Sequence, residues 1–305
     1  MGQYLLRRVL QSLVVVLGLT LIVFGIARLS GSPVDLMLPM GATAQQKADL
    51  TQQLGLDRPL PVQYVKFMTN ALKGDFGQSI RFQTPALPLV VGRIPATLEL
   101  ALVSLLFAVA VGIPLGILAA LHYRRAGDYL VTTGTTLGQA MPSFWLGIIL
   151  ILVFGVNLKW LPISGNNGIK SLIMPAFTLS IVPLVTIAKV TRSSMIGTLP
   201  QDYVRTARSK GLEWGHVVRH HALRNALIPV VTIIGVLLGQ LLSGAVITEQ
   251  IFAWPGIGRL TIESINARDF PVVQAVTLIT SLAVVGANLL VDFSYSLLDP
   301  RIRRS

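Results

Sequence analysis

Cysteine is absent from all 305 residues, and charge is scarce: Asp, Glu, Lys and Arg together make up 12%. Without cysteine there are no disulfides, thiolate nucleophiles or zinc–thiolate sites. A soluble domain carries about 25% charged residues to cover its surface, so a soluble enzyme of this size is excluded. A hydrophobic fraction of 52% and a mean hydropathy of +0.68 exclude a disordered or fibrous chain as well. No Gly-Lys dipeptide occurs, hence no P-loop. Gly-x-Ser-x-Gly is also missing. His216 and His220 have zinc-compatible spacing, but Val217 stands where a zincin carries Glu, so they read as polar residues of a helix. The formal charge of +12 would suggest nucleic acid in a soluble protein. In a membrane protein it asks which side the charge occupies.

Six stretches of 18 or more residues lack Asp, Glu, Lys and Arg: 9–27, 100–123, 129–158, 171–188, 225–248 and 270–291. A bilayer core of ~30 Å takes ~20 apolar residues at ~1.5 Å rise each. The sequence therefore predicts six transmembrane helices, the fourth extended by snorkelling of Lys189 and Arg192. An even count places both termini on one side. That side collects Arg7, Arg8, Arg124, Arg125, the basic run from Lys189 to Arg224, and Arg301, Arg303 and Arg304. By the positive-inside rule it is cytoplasmic. The first stretch is longer than a signal h-region and is followed by Arg28-Leu29-Ser30-Gly31, without a cleavage site, so it reads as a span. The expected organisation is a cytoplasmic segment with the first span at 1–29 and an external segment at 30–95. A five-helix core follows at 96–298, with a cytoplasmic loop at 193–224, and then a tail at 299–305.

The external segment is too short to bury a core of its own. Gln45 to Leu54, closed by Gly55, predicts a capped helix. Val62, Tyr64, Val65, Met68 and Leu72 predict a second helix with one apolar face, ended by Lys73-Gly74-Asp75-Phe76-Gly77. In the cytoplasmic loop, Pro200-Gln201-Asp202 opens a helix that Asp202 can cap, with Arg205, Arg208 and Lys210 near its C-terminal end. Gly211 is the expected left-handed stop. A further helical stretch from Glu213 carries Trp214, Val217, Val218 and Leu223 into the fifth span. This helix pair has two readings, a basic topology anchor or a docking element, and the residues alone leave both open. Between spans five and six, Phe252 to Arg259 mixes helix breakers with Phe, Trp and Ile, which predicts a loop folded back on protein or at the interface. An aromatic-belt turn is the alternative for Trp254. Asp292 is an acid within a span, and Gln139, Ser143, Gln240, Ser243 and Asn288 are candidates for lining a pathway or joining helices.

Several of these segments together resemble the permease subunits of ABC importers for dipeptides, oligopeptides and nickel. The resemblance runs from the N-terminal Arg-Arg through Leu54-Gly55-Leu56-Asp57-Arg58-Pro59 and Gly74-Asp75-Phe76-Gly77-Gln78-Ser79. Its strongest part is Asp202-Tyr203-Val204-Arg205-Thr206-Ala207-Arg208-Ser209-Lys210-Gly211-Leu212, followed by His221 to Pro229. Trp254-Pro255-Gly256-Ile257-Gly258-Arg259 and Asp299-Pro300-Arg301-Ile302-Arg303 complete it. Where the wider importer family carries Glu-Ala-Ala, this chain has Arg205-Thr206-Ala207, with Gly211 as the family glycine.

The resemblance implies an all-α membrane protein with the type I importer permease fold, in a bacterial inner membrane. It implies that Tyr203, Arg205, Thr206, Ala207, Arg208, Lys210, Gly211 and Leu212 couple to an ATPase. Tyr203, Ala207 and Leu212 would pack there, and the basic residues would meet acidic rims. The implied partners are a second permease, two ATP-binding subunits, an external substrate-binding protein and lipid, with no nucleic acid. ATP and magnesium would sit on the ATPases, and this chain would bind no cofactor and be no enzyme. Phe76, Trp254, Pro255, Gly256 and Arg259 are the expected contacts for the binding protein. The cargo could be dipeptides, oligopeptides, glutathione or nickel. A stand-alone ion-coupled carrier is the alternative from another class, although such carriers place ionisable residues at the membrane midplane.

Overall fold

A computed structural model describes residues 2–29, 34, 38 and 42–298. In chain order the helices are α1 (Gly2–Leu29), α2 (Ala44–Leu54), α3 (Leu60–Leu72), α4 (Ala86–Val91), α5 (Ile94–Leu121), α6 (Ala126–Ala140), α7 (Ser143–Leu150), α8 (Ile169–Thr198), α9 (Asp202–Ser209), α10 (Leu223–Gly244), α11 (Val246–Ile251), α12 (Ile257–Asn266) and α13 (Phe270–Leu298). Two π-helical segments, Ile151–Asn157 and Val217–Ala222, continue α7 and precede α10. The fold is all-α, and the chain divides into two compact units: residues 1–96 with 255–289, and residues 97–254 with 290–305.

In the first unit, α2 starts where expected. Thr43 and Gln46 form a reciprocal capping box, with Gln46 N donating to Thr43 Oγ1 at 3.2 Å and Thr43 N donating to Gln46 Oε1 at 2.9 Å. Gly55 ends α2 at φ +70°. Helix α3 also forms, and of its expected apolar face Tyr64 and Met68 are half-buried. Val62, Val65 and Leu72 are exposed, while Gln63 is buried and Tyr64 and Phe67 turn inward. The reason is aromatic: Phe24 of α1 meets Tyr64 at 5.4 Å and Phe67 at 6.1 Å between ring centroids. The Tyr64 hydroxyl lies 3.0 Å from Thr20 Oγ1. A ring quartet completed by Phe76 outweighs a stripe of smaller aliphatics. A second apolar cluster joins Ala86, Val90, Leu260, Val272, Ala275 and Val276, so α4, α12 and α13 share one core.

In the second unit, α5 and α8 lie close enough that two glycines are required. A Cβ at Gly112 would stand 2.9 Å from the Leu184 carbonyl oxygen, and one at Gly116 would stand 2.6 Å from that of Ala188. Gly-x-x-x-Gly here lets two backbones approach, as small residues do between membrane helices.

The single span expected over 129–158 is two helices. Helices α6 and α7 meet at 95° across Met141 and Pro142. Pro142 lacks an N–H and disfavours helix at the residue before it, and Met141 accordingly is extended at ψ 123°. The fourth stretch is a continuous helix to Thr198, and its basic residues have polar partners. Arg192 grips Asp128 through Nε at 2.6 Å and Nη2 at 2.8 Å, and Lys189 donates to Gln139 at 2.6 Å. Among the described residues, three helical stretches are individually long and apolar enough to span a bilayer, and the bent pair adds a fourth. Apolar tracts Leu10–Ile26 and Phe270–Gly286 lie within the long helices α1 and α13. The helix set agrees with a six-span permease. The side chains of Arg7, Arg8, Ser243, Asn288 and Asp292, and the tail carrying Arg301, Arg303 and Arg304, lie outside the described residues.

Candidate functional site

The segment from Met195 to Ala226 folds into a helical knob at the end of α8. Its interior is a cluster of Ala120, Met195, Val204, Ala207, Val217, Val218, Ala222 and Ala226. On α9, Val204 and Ala207 are three residues apart, so they share the face that covers this cluster. The other residues of α9 and its exit point outward. Tyr203 is 41% and Leu212 39% exposed, and Arg205, Thr206, Arg208 and Lys210 are exposed as well.

Seven of the eight residues expected at a coupling site therefore share an open surface, and one does not. Ala207 is 6% exposed and belongs to the chain's own core. Its methyl holds α9 down, so it offers nothing to a partner. The expected capping role of Asp202 is also corrected. Gln201 is the N-cap and makes no side-chain cap, while Asp202 is the first helical residue. There its carboxylate faces the positive end of the helix and lies 3.5 Å from Arg205 in an exposed pair.

Gly211 holds φ +80°, the left-handed conformation expected, and a Cβ there would meet nothing within 4 Å. The requirement is one of backbone conformation alone, not of space. Immediately after the turn, Trp214 is 43% exposed and stacks under Arg208, whose guanidinium carbon is 5.2 Å from the ring centroid. The turn thus sets an aromatic beside the cationic face of α9, which the sequence had placed on a separate helix. His216 and His220 stack at 4.2 Å, and no group suited to a metal occurs among the described residues.

The segment around Trp254 has a different character. Trp254 is wholly buried, Phe252 is 1% exposed, and Gly256 is buried. Ala253 takes φ +49°, and this turn lets Trp254 N donate to Glu249 O at 2.8 Å. Phe252 fills the space over Gly147, where a Cβ would come within 3.2 Å of the ring. The loop is folded back on protein, as one of its readings had it, and an aromatic-belt turn is excluded for Trp254. As surface contacts for a binding protein, Trp254 and Gly256 are corrected: they have no surface to offer. Pro255 and Arg259 are half-buried, Arg259 donating to Glu263 at 2.8 Å. Phe76 is half-buried against Phe67 and the second apolar cluster.

Two acids escaped the sequence reading. Glu249 is wholly buried and accepts a hydrogen bond from Thr97 Oγ1 at 2.7 Å. Asp269 is wholly buried and is held by Ser79 Oγ and by the Arg81 amide at 3.2 Å. Both sit just outside charge-free stretches, where an acid looks like a boundary marker. The polar candidates Gln139 and Gln240 are exposed in this chain, and Ser143 is half-buried.

Residues 112–304 match the family described as binding-protein-dependent transport system inner membrane component, and residues 1–101 match its N-terminal companion. The chain is 40% identical over 314 residues to the oligopeptide transport system permease protein AppB of Bacillus subtilis, covering 99% of each. It is 41% identical to the di/tripeptide transport system permease protein DppB of Pseudomonas aeruginosa, covering 94% of each. It is also 41% identical to the glutathione transport system permease protein GsiC of Salmonella paratyphi A, covering 99% of each. Among solved structures it is similar to the MetNI methionine ABC transporter in an inward-facing form, with TM-score 0.58 and 18% identity over 69% of this chain and 96% of that one. An amino acid ABC transporter gives TM-score 0.55 at 16% identity over 70% of this chain and 94% of that one. At these identities the two structures speak to fold alone.

Proposed function

Because this chain belongs to the family of binding-protein-dependent transport inner membrane components, we propose that it is the peptide-conducting subunit of an ATP-driven importer. It forms the translocation pathway with a second, similar permease, and short peptides are the cargo. The full-length relatives that carry peptide or glutathione in their names support that class, glutathione being itself a small peptide. The chain lies in a bacterial inner membrane with both termini cytoplasmic. It is not an enzyme: ATP and magnesium are handled by two separate ATP-binding subunits, consistent with the missing Gly-Lys P-loop.

The observation that carries the reading is the exposed face of α9 and its exit. Tyr203, Arg205, Thr206, Arg208, Lys210 and Leu212 present two apolar groups among three cations on a short helix and its exit. Val204 and Ala207 anchor that helix to the ends of α5, α8 and α10. A knob fixed on one side and open on the other passes a push from an ATPase groove into the spans. Electrostatics orient the docking, and Tyr203 and Leu212 supply the desolvated contact. An external binding protein delivers substrate to the opposite face. Exposed parts of the 42–91 region form that contact.

The test is co-expression with the two ATP-binding subunits and affinity purification through a tag on this chain. The wild type should retain the ATPase subunits. A Tyr203→Ala/Leu212→Ala double variant should lose them while its membrane abundance stays the same. Full retention by that variant would overturn α9 as the docking element, and a wild type that never retains an ATPase would overturn the importer reading itself.

A further inference from the structure

Within the second unit, the exposed residues of α6 divide by side. Thr132, Thr136 and Gln139 are exposed and share one helical face by their spacing. Leu130 and Leu137, also exposed, lie about 140° round the helix from them. On α8, the stretch from Val182 to Ser193 is open only at Val182, Lys189 and Ser193, with Thr186 half-buried between them on the same face. Lys189 joins the two polar stripes, its Nζ donating to Gln139 Oε1 at 2.6 Å. Arg192 meets Asp128 instead. From Asp128 to Gln139 is ~16 Å along α6 at ~1.5 Å per residue. The Lys189 ammonium is thus drawn away from the level of the Arg192 pair and toward the bend at Pro142, following the tilt of side chains to the N-terminus of α8. Asp128 neutralises Arg192, whereas no carboxylate pairs with Lys189 among the described residues. A cleft of about 230 Å³ lies here, with Thr132, Thr135, Lys189 and Arg192 in its lining.

We propose that these two stripes are this chain's wall of the translocation pathway, and that Lys189 receives the carboxylate of a peptide as it passes. The inference rests on the importer reading above, which supplies the cargo and, in a second permease, the opposite wall. Polar and charged side chains in membrane segments face a bundle interior or a water-filled cavity, because lipid gives them no partner. Helix α6 therefore has a wet side and a lipid side, and Lys189 lies on the wet one. The hydroxyls of Thr136 and Thr186 donate to carbonyls one turn back in their own helices, at 2.8 and 2.9 Å. Their oxygens remain as acceptors for peptide N–H groups. Lys189 gives one ammonium hydrogen to Gln139 and keeps the others for a carboxylate. A carboxylate entering the membrane sheds water, and a cation on the wall offsets that cost. The cleft beside Lys189 gives the carboxylate room.

The experiment is thiol labelling of the complete importer in proteoliposomes, with single cysteines in the cysteine-free chain and an anionic and a cationic methanethiosulfonate as probes. Thr136→Cys should react with both, and Leu137→Cys, its neighbour on the lipid side, with neither. Thr136 is one turn from Gln139, so a cysteine there also senses Lys189. Adding Lys189→Gln should lower the anionic-to-cationic rate ratio several-fold, and Lys189→Arg should preserve it. A Lys189 that merely joins two helices would leave the ratio where it was. Uptake of a tripeptide should fall about tenfold in Lys189→Gln, the scale of one charge-assisted hydrogen bond, and recover in Lys189→Arg. Lys189 is exposed, so its replacement leaves the packing of α8 intact. An inert Thr136→Cys would overturn the wall, and a ratio indifferent to Lys189→Gln would overturn the carboxylate site. Absence of peptide uptake by the wild-type complex would overturn the importer reading instead, and the labelling, which needs no cargo, would still decide the wall.

Discussion

Gly211→Val is the sharpest test of how the knob at 195–226 works. The native residue sits at φ +80° with open space where a Cβ would go. No clash complicates the reading, so the whole effect is backbone preference. A left-handed residue with a Cβ costs roughly 1–2 kcal/mol, more when β-branched. The scale of ~1.4 kcal/mol per tenfold then lowers the ratio of native to alternative helix exits about five- to thirty-fold. Chains that leave the turn otherwise carry Trp214 away from Arg208 and misplace Leu212. The six spans are untouched, so membrane abundance should stay normal. Peptide-stimulated ATPase activity and uptake, measured on the complete importer, should fall, by up to that factor. A series adds resolution: Asn tolerates the left-handed region, so activity should order Gly, Asn, Ala, Val. Normal uptake by Gly211→Val at normal abundance would refute the argument and return the loop to a plain topology anchor.

Three further outcomes follow from the packing. Gly116→Ala should destabilise the detergent-solubilised protein by roughly 1–3 kcal/mol in thermal unfolding, because its Cβ would stand 2.6 Å from the Ala188 carbonyl oxygen. Gly134→Ala, with nothing within 4 Å, should instead be neutral or stabilising by up to ~1 kcal/mol on helix propensity. Asp128→Asn should cost roughly 1.5–3 kcal/mol by removing the charge that Arg192 grips. A double-mutant cycle with Arg192→Gln should recover part of that loss, and strict additivity would show the pair to be uncoupled. The cysteine-free background allows single-cysteine labelling: in inverted membrane vesicles, Tyr203→Cys and Leu212→Cys should react with an impermeant maleimide, and Ala207→Cys should not. Fast labelling at Ala207 would contradict its burial.

Much of the architecture is local and was therefore legible. Charge-free stretches mark membrane helices because a bilayer core excludes charge over a fixed thickness. Gly55 and Gly211 mark helix ends because caps act within a turn of the chain. The α9 surface was legible for the same reason, as its outward side chains follow from helical spacing once one side is anchored. What failed was every question of which neighbour a face meets. Helix α3 has an apolar stripe that local spacing favours, yet Phe24 of α1, far away in sequence, takes only Tyr64 from it and adds Phe67, while Val62, Val65 and Leu72 stay exposed. Ala207 looks like any small helical residue until Val217 and Met195 close over it. Trp254 reads as a surface aromatic until Phe252 and Glu249 fix its turn. Asp128, Glu249 and Asp269 lie beside charge-free stretches and pass for edges, but their partners come from Arg192, Thr97 and Ser79. The bend at Pro142 was missed: the uncharged stretch 129–158 reads as one span by length and charge, and the structure breaks it at 95°. Periodicity and caps are properties of a helix by itself, whereas burial belongs to pairs of helices. The sequence accordingly determined the helices and their ends, and the tertiary structure alone decided which faces were covered.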